Sequence, residues 1–301
     1  MTFRRTWPLL TLPLAWLFIQ AGGWGAEWLA RLAGMHASAA SGNWPDNILA
    51  LFAWGLVAVV LWLWLRFYEH RAFDTLGFTG KGAGHFTAGL ILGLVMTVVP
   101  VVAIVALGGY VVAGPGAWYD HLTPTWLLAS LLTIAGTFIQ AGAKEALFRG
   151  WIMHTLALRW GTGVAVLLNV VAFVYIHANH LMLSPESLLG VVNLALMAWL
   201  LSRLVMRDGS LWGAWGLHAG WTLMTGLGLG LNIIGEHLNV TPMLLAFGMG
   251  DEAPWWLSGG DFGPNGSIMM TLVVIGLLVW ARPPRRTTRP VHDDDVDDFD
   301  S

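Results

Sequence analysis

Between Phe86 and Val112 the chain runs for 27 residues without a single Asp, Glu, Lys or Arg, and Asn47 to Leu65 is a second such run of 19. A bilayer core about 30 Å thick is crossed by roughly 20 apolar residues in a helix. Backbone amides inside lipid must bond to one another, so continuous apolar runs of this length fold as membrane helices. Searching between clusters of charge, Pro and Gly gives eight candidate spans: Trp7 to Leu32, Asn47 to Leu65, Phe86 to Val112, Thr125 to Ala143, Gly163 to His177, Ser187 to Val205, Leu211 to Leu229 and Ser267 to Trp280. The first reads as a retained span, because no small-residue cleavage site follows a short apolar core.

Composition agrees and narrows the chemistry. Only 11% of residues are charged and 56% are hydrophobic, against about 25% charged in soluble domains, which excludes a water-soluble enzyme. The absence of cysteine removes disulfides, thiol nucleophiles, Cys-ligated zinc and iron–sulfur clusters. A net charge of -3, with no basic tract longer than Arg282 to Arg289, offers no footprint for nucleic acid. The expected architecture is all-α: a polytopic membrane protein of about eight transmembrane helices around an internal polar cavity. Residues 1–281 form one transmembrane domain with a core region at 125–222, and residues 282–301 form a disordered tail, basic and then acidic.

Charged groups inside spans cost about 2.5–3.5 kcal/mol each on insertion scales, so those present need a reason. Lys144, Glu145 and Arg149 in AGAKEALFRGWI, His177 in AFVYIHANH and His218 in WGLHAGWT are the clearest set. Glu145 and Arg149 are four apart in the acid-first order and share a helix face; Lys144 points about 100° away from Glu145. If the helices flanking Trp160 to Gly163 are antiparallel, Glu145 and His177, each 16 residues from Gly161, lie level and can face each other. His218 reaches them only if the Arg149 to Arg159 stretch projects beyond the bilayer, and a break near Gly142 is the other way to accommodate so long a helix. A carboxylate beside an imidazole in a dry cavity is a general-base pair able to activate water, and a second imidazole can donate to an oxyanion. Equally open on spacing alone is a structural role, with Glu145 and Arg149 neutralising each other and each His bonded to a backbone carbonyl.

Three motifs then appear in order: Lys144-Glu145-Ala146-Leu147-Phe148-Arg149-Gly150, Phe173-Val174-Tyr175-Ile176-His177 and His218-Ala219-Gly220-Trp221-Thr222. Together they resemble the CPBP intramembrane metalloproteases, which include the type II CAAX prenyl endopeptidases and the bacterial Abi or bacteriocin-processing proteins. The family patterns are Glu-Glu-x-x-x-Arg, Phe-x-x-x-His and His-x-x-x-Asn or Asp, and the lead-in DGSLWGAWGLH looks typical of bacterial members. The resemblance implies a bundle of eight spans around a conical cavity, in the cytoplasmic membrane of a bacterium. It implies that a motif-one Glu and His177 activate water while His218 and the last motif residue hold an oxyanion. Glu145, Arg149, His177, His218 and Thr222 are accordingly the candidate catalytic residues. Two positions depart from the pattern: Lys144 stands where the first Glu is expected, and Thr222 where Asn is expected. Thr keeps a hydroxyl donor, whereas Lys reverses the charge. The family's metal dependence names no ion, and two His with one Glu on separate helices are compatible with zinc.

Two functions stay open at this stage. One is an endopeptidase that cleaves a membrane-associated peptide or a prenylated protein tail; the other is a member that has lost catalysis and serves as a membrane binding or regulatory protein. A transporter fits less well, since no Gly/Pro-broken pair of spans recurs in two halves. Membrane lipid is the expected surrounding in every case.

Alternating spans place Arg4, Arg5, Arg66, Arg71, Lys81, Arg159, Arg203, Arg207 and the basic part of the tail on one side. The 37 residues Gly230 to Gly266 on the other side hold four acids and no Lys or Arg, so both termini are expected in the cytoplasm. Reporter fusions check this: a fusion after Asp251 should report the far side and one after Arg207 the cytoplasm, and the reverse pattern would overturn the topology.

Overall fold

The computed structural model describes residues 5–38, 43–80, 82–119, 122–178 and 184–281; the expected tail, 282–301, lies outside them. Among the described residues the protein is almost entirely helical. Helix α1 covers Pro8–Leu32, α2 Trp44–Trp64 with a π-helical continuation at Leu65–Glu69, and α3 Gly82–Ala106. Helix α4, Pro124–Glu145, passes through a π-helical stretch, Ala146–Met153, into α5, His154–Ala178. Then follow α6, Pro185–Asp208, α7, Trp212–Leu223 with a π-helical end at Met224–Gly228, the single turn α8, Trp255–Ser258, and α9, Ile268–Trp280. Five helical stretches are long and apolar enough to cross a membrane. With the many large apolar side chains exposed on their outer faces, such as Trp16, Val102 and Leu167, the chain is an integral multi-pass membrane protein.

Local signals explain most boundaries. Thr123 accepts a hydrogen bond from Trp126 N at 3.1 Å and is followed by Pro124, which starts α4. Ser184 and Ser187 cap α6 reciprocally ahead of Pro185, and Gly209 ends it in the left-handed conformation, φ 60°. The continuous 54-residue helix from Pro124 to His177 is turned back on itself at Gly161, whose φ of 80° and ψ of 161° suit glycine alone. The expected hairpin at Trp160 to Gly163 is therefore present.

Two expectations need correction. The third apolar run does not stay helical to Val112: α3 stops at Ala106, Gly108 takes φ 77°, and Tyr110–Pro115 forms strand β1. Val111 and Val112 favour a strand once the glycines have ended the helix. Strand β1 pairs antiparallel with β2, Leu245–Met249, from Tyr110 opposite Met249 to Pro115 opposite Leu245, with an irregularity between Val112 and Gly114. Nor does α4 break at Gly142. The helix departs from α geometry after Glu145, where every residue from Ala146 to Met153 is buried, and Gly142 instead receives the Trp215 indole, whose Nε1 donates to Phe138 O at 2.8 Å.

The two-stranded sheet joins β1, which follows α3, to a folded cap made from 230–266. Trp126 Nε1 donates to Thr241 O and Trp118 Nε1 to Leu244 O, both at 2.9 Å, so these indoles hold the cap on α4 and on the segment after β1. Burial pushes the Tyr110 phenol up, and its hydroxyl stays a donor to Ser258 O. On the inner side, Trp221 Nε1 donates to Asn265 Oδ1 at 2.8 Å, and Asn193 Nδ2 reaches Asn265 O and Ser267 O.

The closest helix pair is α3 with α7. A Cβ at Gly89 would strike Gly213 O, one at Gly93 would strike Leu217 O, and on the partner Gly216 and Gly220 meet Phe86 O and Leu90 O in the same way. These small-x-x-x-small faces interlock backbone against backbone, the packing lipid favours because apolar side chains gain little from one another there. His218 lies between Gly216 and Gly220, so this contact fixes its height and rotation. Gly93→Leu should lower the thermal stability of the detergent-solubilised protein by about 1–3 kcal/mol or more, because the obstacle is backbone. Gly276→Ala, where an added Cβ meets nothing within 4 Å, should leave it unchanged or slightly raised; equal effects would dismiss the interlock.

Candidate functional site

Glu145 is the most enclosed charge, with 0% exposure, and Arg149 beside it has 1%. Arg149 NH1 donates to Glu145 Oε1 at 3.0 Å, one turn on, and NH2 donates to Ala198 O of α6 at 3.1 Å. The guanidinium also lies over the Phe173 ring at 4.4 Å. From α7, His218 Nδ1 meets the same Glu145 Oε1 at 2.7 Å. A carboxylate only accepts, so Nδ1 carries the proton and donates. The ion pair anticipated from the four-residue spacing is thus present, with His218 as its third member. Glu145 Oε2 and Arg149 Nε have no hydrogen-bond partner.

The base pair expected between Glu145 and His177 is not what forms. His177 Nδ1 lies 2.8 Å from Phe173 O, to which it must donate, so the ring's Nε2 is the acceptor. That lone pair is taken by Lys144 Nζ at 2.9 Å. The hairpin brings His177 level with the 144–145 pair, as counting from Gly161 indicated, but helix rotation gives it Lys144 and gives Glu145 to His218. Lys144 is 7% exposed, its ammonium lies 4.7 Å from the centre of the Trp54 ring, and it has no ion-pair partner among the described residues. His177 stacks on Phe173 with ring centres 4.1 Å apart. The structure therefore places His218 against the charged pair without any break near Gly142.

These groups line a cavity of about 280 Å³ bounded by α2, α4, α5, α7 and the cap. Lys144, His177, His218, Thr222 and Gln140 supply its polar wall; Leu51, Trp54, Ile176 and Trp221 supply the apolar one. Ile233, Ile234 and Leu238 close over it with Glu236 and His237 from the cap. Glu145 and Arg149 lie behind this wall rather than in it. Gln140, Trp54 and the cap residues had not been singled out from the sequence. Gln140, a lone amide in the apolar run Thr125 to Ala143, is one whose signal was there to be read.

A divalent metal does not fit this donor set. His177 has a backbone carbonyl on one nitrogen and an ammonium on the other, His218 has one nitrogen on Glu145, and no group of three His, Asp or Glu able to hold a metal occurs among the described residues.

Residues 124–224 match the family model described as type II CAAX prenyl endopeptidase Rce1-like. All three motifs lie inside the matched segment, and the match supports placing it in the CPBP family. No curated protein and no solved structure matches the chain.

The buried triad should respond to substitution as a unit. Glu145→Gln leaves Arg149 buried without its counter-charge and should cost about 3–5 kcal/mol, whereas Glu145→Leu combined with Arg149→Met should cost less than either single change. Denaturation of the single and double variants measures this, and additive losses would contradict the coupling.

Proposed function

We propose that this chain is a CAAX-protease-like intramembrane protein that takes a membrane-associated peptide, or a prenylated protein tail, into the cavity between α2, α4, α5 and α7, and that Lys144 holds hydrolysis off. Its setting is the cytoplasmic membrane, with both termini cytoplasmic. The observation that carries the reading is the 2.9 Å contact between Lys144 Nζ and His177 Nε2. At the position where the family pattern has a carboxylate, an ammonium has no lone pair with which to take a proton from water. It also occupies the nitrogen lone pair that His177 would offer, so the two groups expected to activate water satisfy each other.

One observation favours retained endopeptidase activity as a second reading. His218 donates from Nδ1 to Glu145 at 2.7 Å, which leaves Nε2 as an acceptor on a ring that lines the cavity. A carboxylate-held imidazole can take a proton from an attacking water, the new positive charge being shared with Glu145 through Nδ1–H. The Thr222 hydroxyl and the Lys144 ammonium are then the donors nearest in kind to an oxyanion's needs.

Cleavage of a membrane-tethered peptide by the reconstituted protein separates the two. Under the first reading wild type is a poor peptidase and Lys144→Glu raises its rate by about 10²–10⁴, the usual contribution of a general base. Under the second, wild type cleaves, His218→Ala and Glu145→Gln abolish cleavage, and Lys144→Glu brings no gain.

A further inference from the structure

We propose that Lys144 makes this cavity a receptor for a carboxylate carried on an apolar chain, such as the free C-terminus of a peptide or a fatty acid. The inference rests on reading the cavity as the ligand site and names the end group it selects.

An ammonium has three N–H donors. One is spent on His177 Nε2 at 2.9 Å, and the Trp54 face at 4.7 Å takes none as a hydrogen bond. Two donors are left on a group that lines the cavity and has no carboxylate partner among the described residues. The carboxylate next to it in sequence makes no hydrogen bond or ion pair with it: Glu145 is wholly buried, with Arg149 and His218 on the same oxygen. His177, an acceptor at Nε2 and a donor at Nδ1, is neutral and adds no charge of its own, and His218 is held against Glu145. Around Lys144, the Gln140 amide and the Thr222 hydroxyl make no hydrogen bond to described residues and line the same space. The lining also includes an acid, Glu236, which belongs to the cap and not to α4.

Lys144, Gln140 and Thr222 thus bring an ammonium, an amide and a hydroxyl to one cavity, each with an N–H or O–H that an anionic acceptor can use. The walls are Leu51, Trp54, Ile176 and Trp221, which suit an aliphatic or isoprenoid-like chain. A neutral amide or ester end would leave the ammonium's charge unanswered in a water-poor site. A carboxylate answers it with charge-assisted hydrogen bonds, each worth roughly twice a neutral one.

Binding to the full-length protein in nanodiscs, followed by isothermal titration calorimetry, tests this with matched pairs. The probes are a short apolar peptide as free acid and as C-terminal amide, and dodecanoate beside dodecanamide. The acids should bind about tenfold to a hundredfold tighter than the amides. Lys144→Gln should erase that preference and Lys144→Arg should keep it, which separates loss of charge from loss of fold. Discrimination by the peptide pair assigns a peptide terminus as the source; discrimination by the dodecanoate pair alone assigns a lipid acid and overturns the peptide reading of the cavity. Equal binding of peptide acid and amide, with no preference for dodecanoate, would overturn the carboxylate proposal while leaving peptide binding in place. Failure of all four probes to bind would overturn both.

Discussion

A carboxylate at the centre of a membrane bundle must be neutralised where it stands, and Glu145 meets that demand with Arg149 from the next turn and His218 from α7. Removing any of the three would leave a charge or an acceptor stranded without water. The arrangement constrains more than its own atoms. It requires α7 to approach α4 at one height, which the interlocked glycines of α3 and α7 provide. It also requires the chain after Glu145 to present Arg149 inward, and the all-buried π-helical stretch Ala146–Met153 does so. The polar site is thus a condition on the packing of three helices.

With that triad closed, position 144 decides what the cavity can do. A carboxylate there would accept hydrogen bonds and would leave His177 Nε2 without the donor it now has. An ammonium only donates. It fixes His177 as an acceptor at Nε2, and the Phe173 carbonyl fixes the other nitrogen as a donor. The same cavity shape therefore changes from one able to take a proton from water to one that offers protons to an anion. The triad closes the inside of the bundle, while the residue at 144 sets the polarity of the cavity wall.

Much of this was legible in the sequence because charge within apolar runs is rare enough to be conspicuous. Lys144, Glu145, Arg149, His177 and His218 announced themselves in that way, and Gly161 fixed which residues of α4 and α5 lie level. The pairing was not legible. Level residues can face each other or turn aside, and the 100° between Lys144 and Glu145 exchanged their partners relative to expectation. The cap was also hidden, because its order comes from contacts far apart in sequence, such as Asn239 Nδ2 with Asn47 Oδ1 and Asn193 Nδ2 with Asn265 O. Strand β1 lay concealed inside an apolar run whose composition fits lipid as well as a hairpin.

The cap's own backbone bears on how firmly the cavity is closed. Ile234 takes φ 55° and Gly235 φ 83°, between reciprocal hydrogen bonds that join Ile233 and Glu236 at 2.7 and 3.1 Å. For a β-branched residue this conformation costs of order 1–3 kcal/mol and persists only where the surroundings over-determine it. Glycine at 234 would relieve the strain but would forfeit the side chain, which is buried against the core and lines the cavity. The tight turn therefore serves to aim an isoleucine into the space above Lys144. Lys144 in the same lining is only 7% exposed, and an ammonium so enclosed binds its counter-ion more strongly than one at a surface. The strain in the cap and the selectivity at position 144 are in this sense two parts of one arrangement.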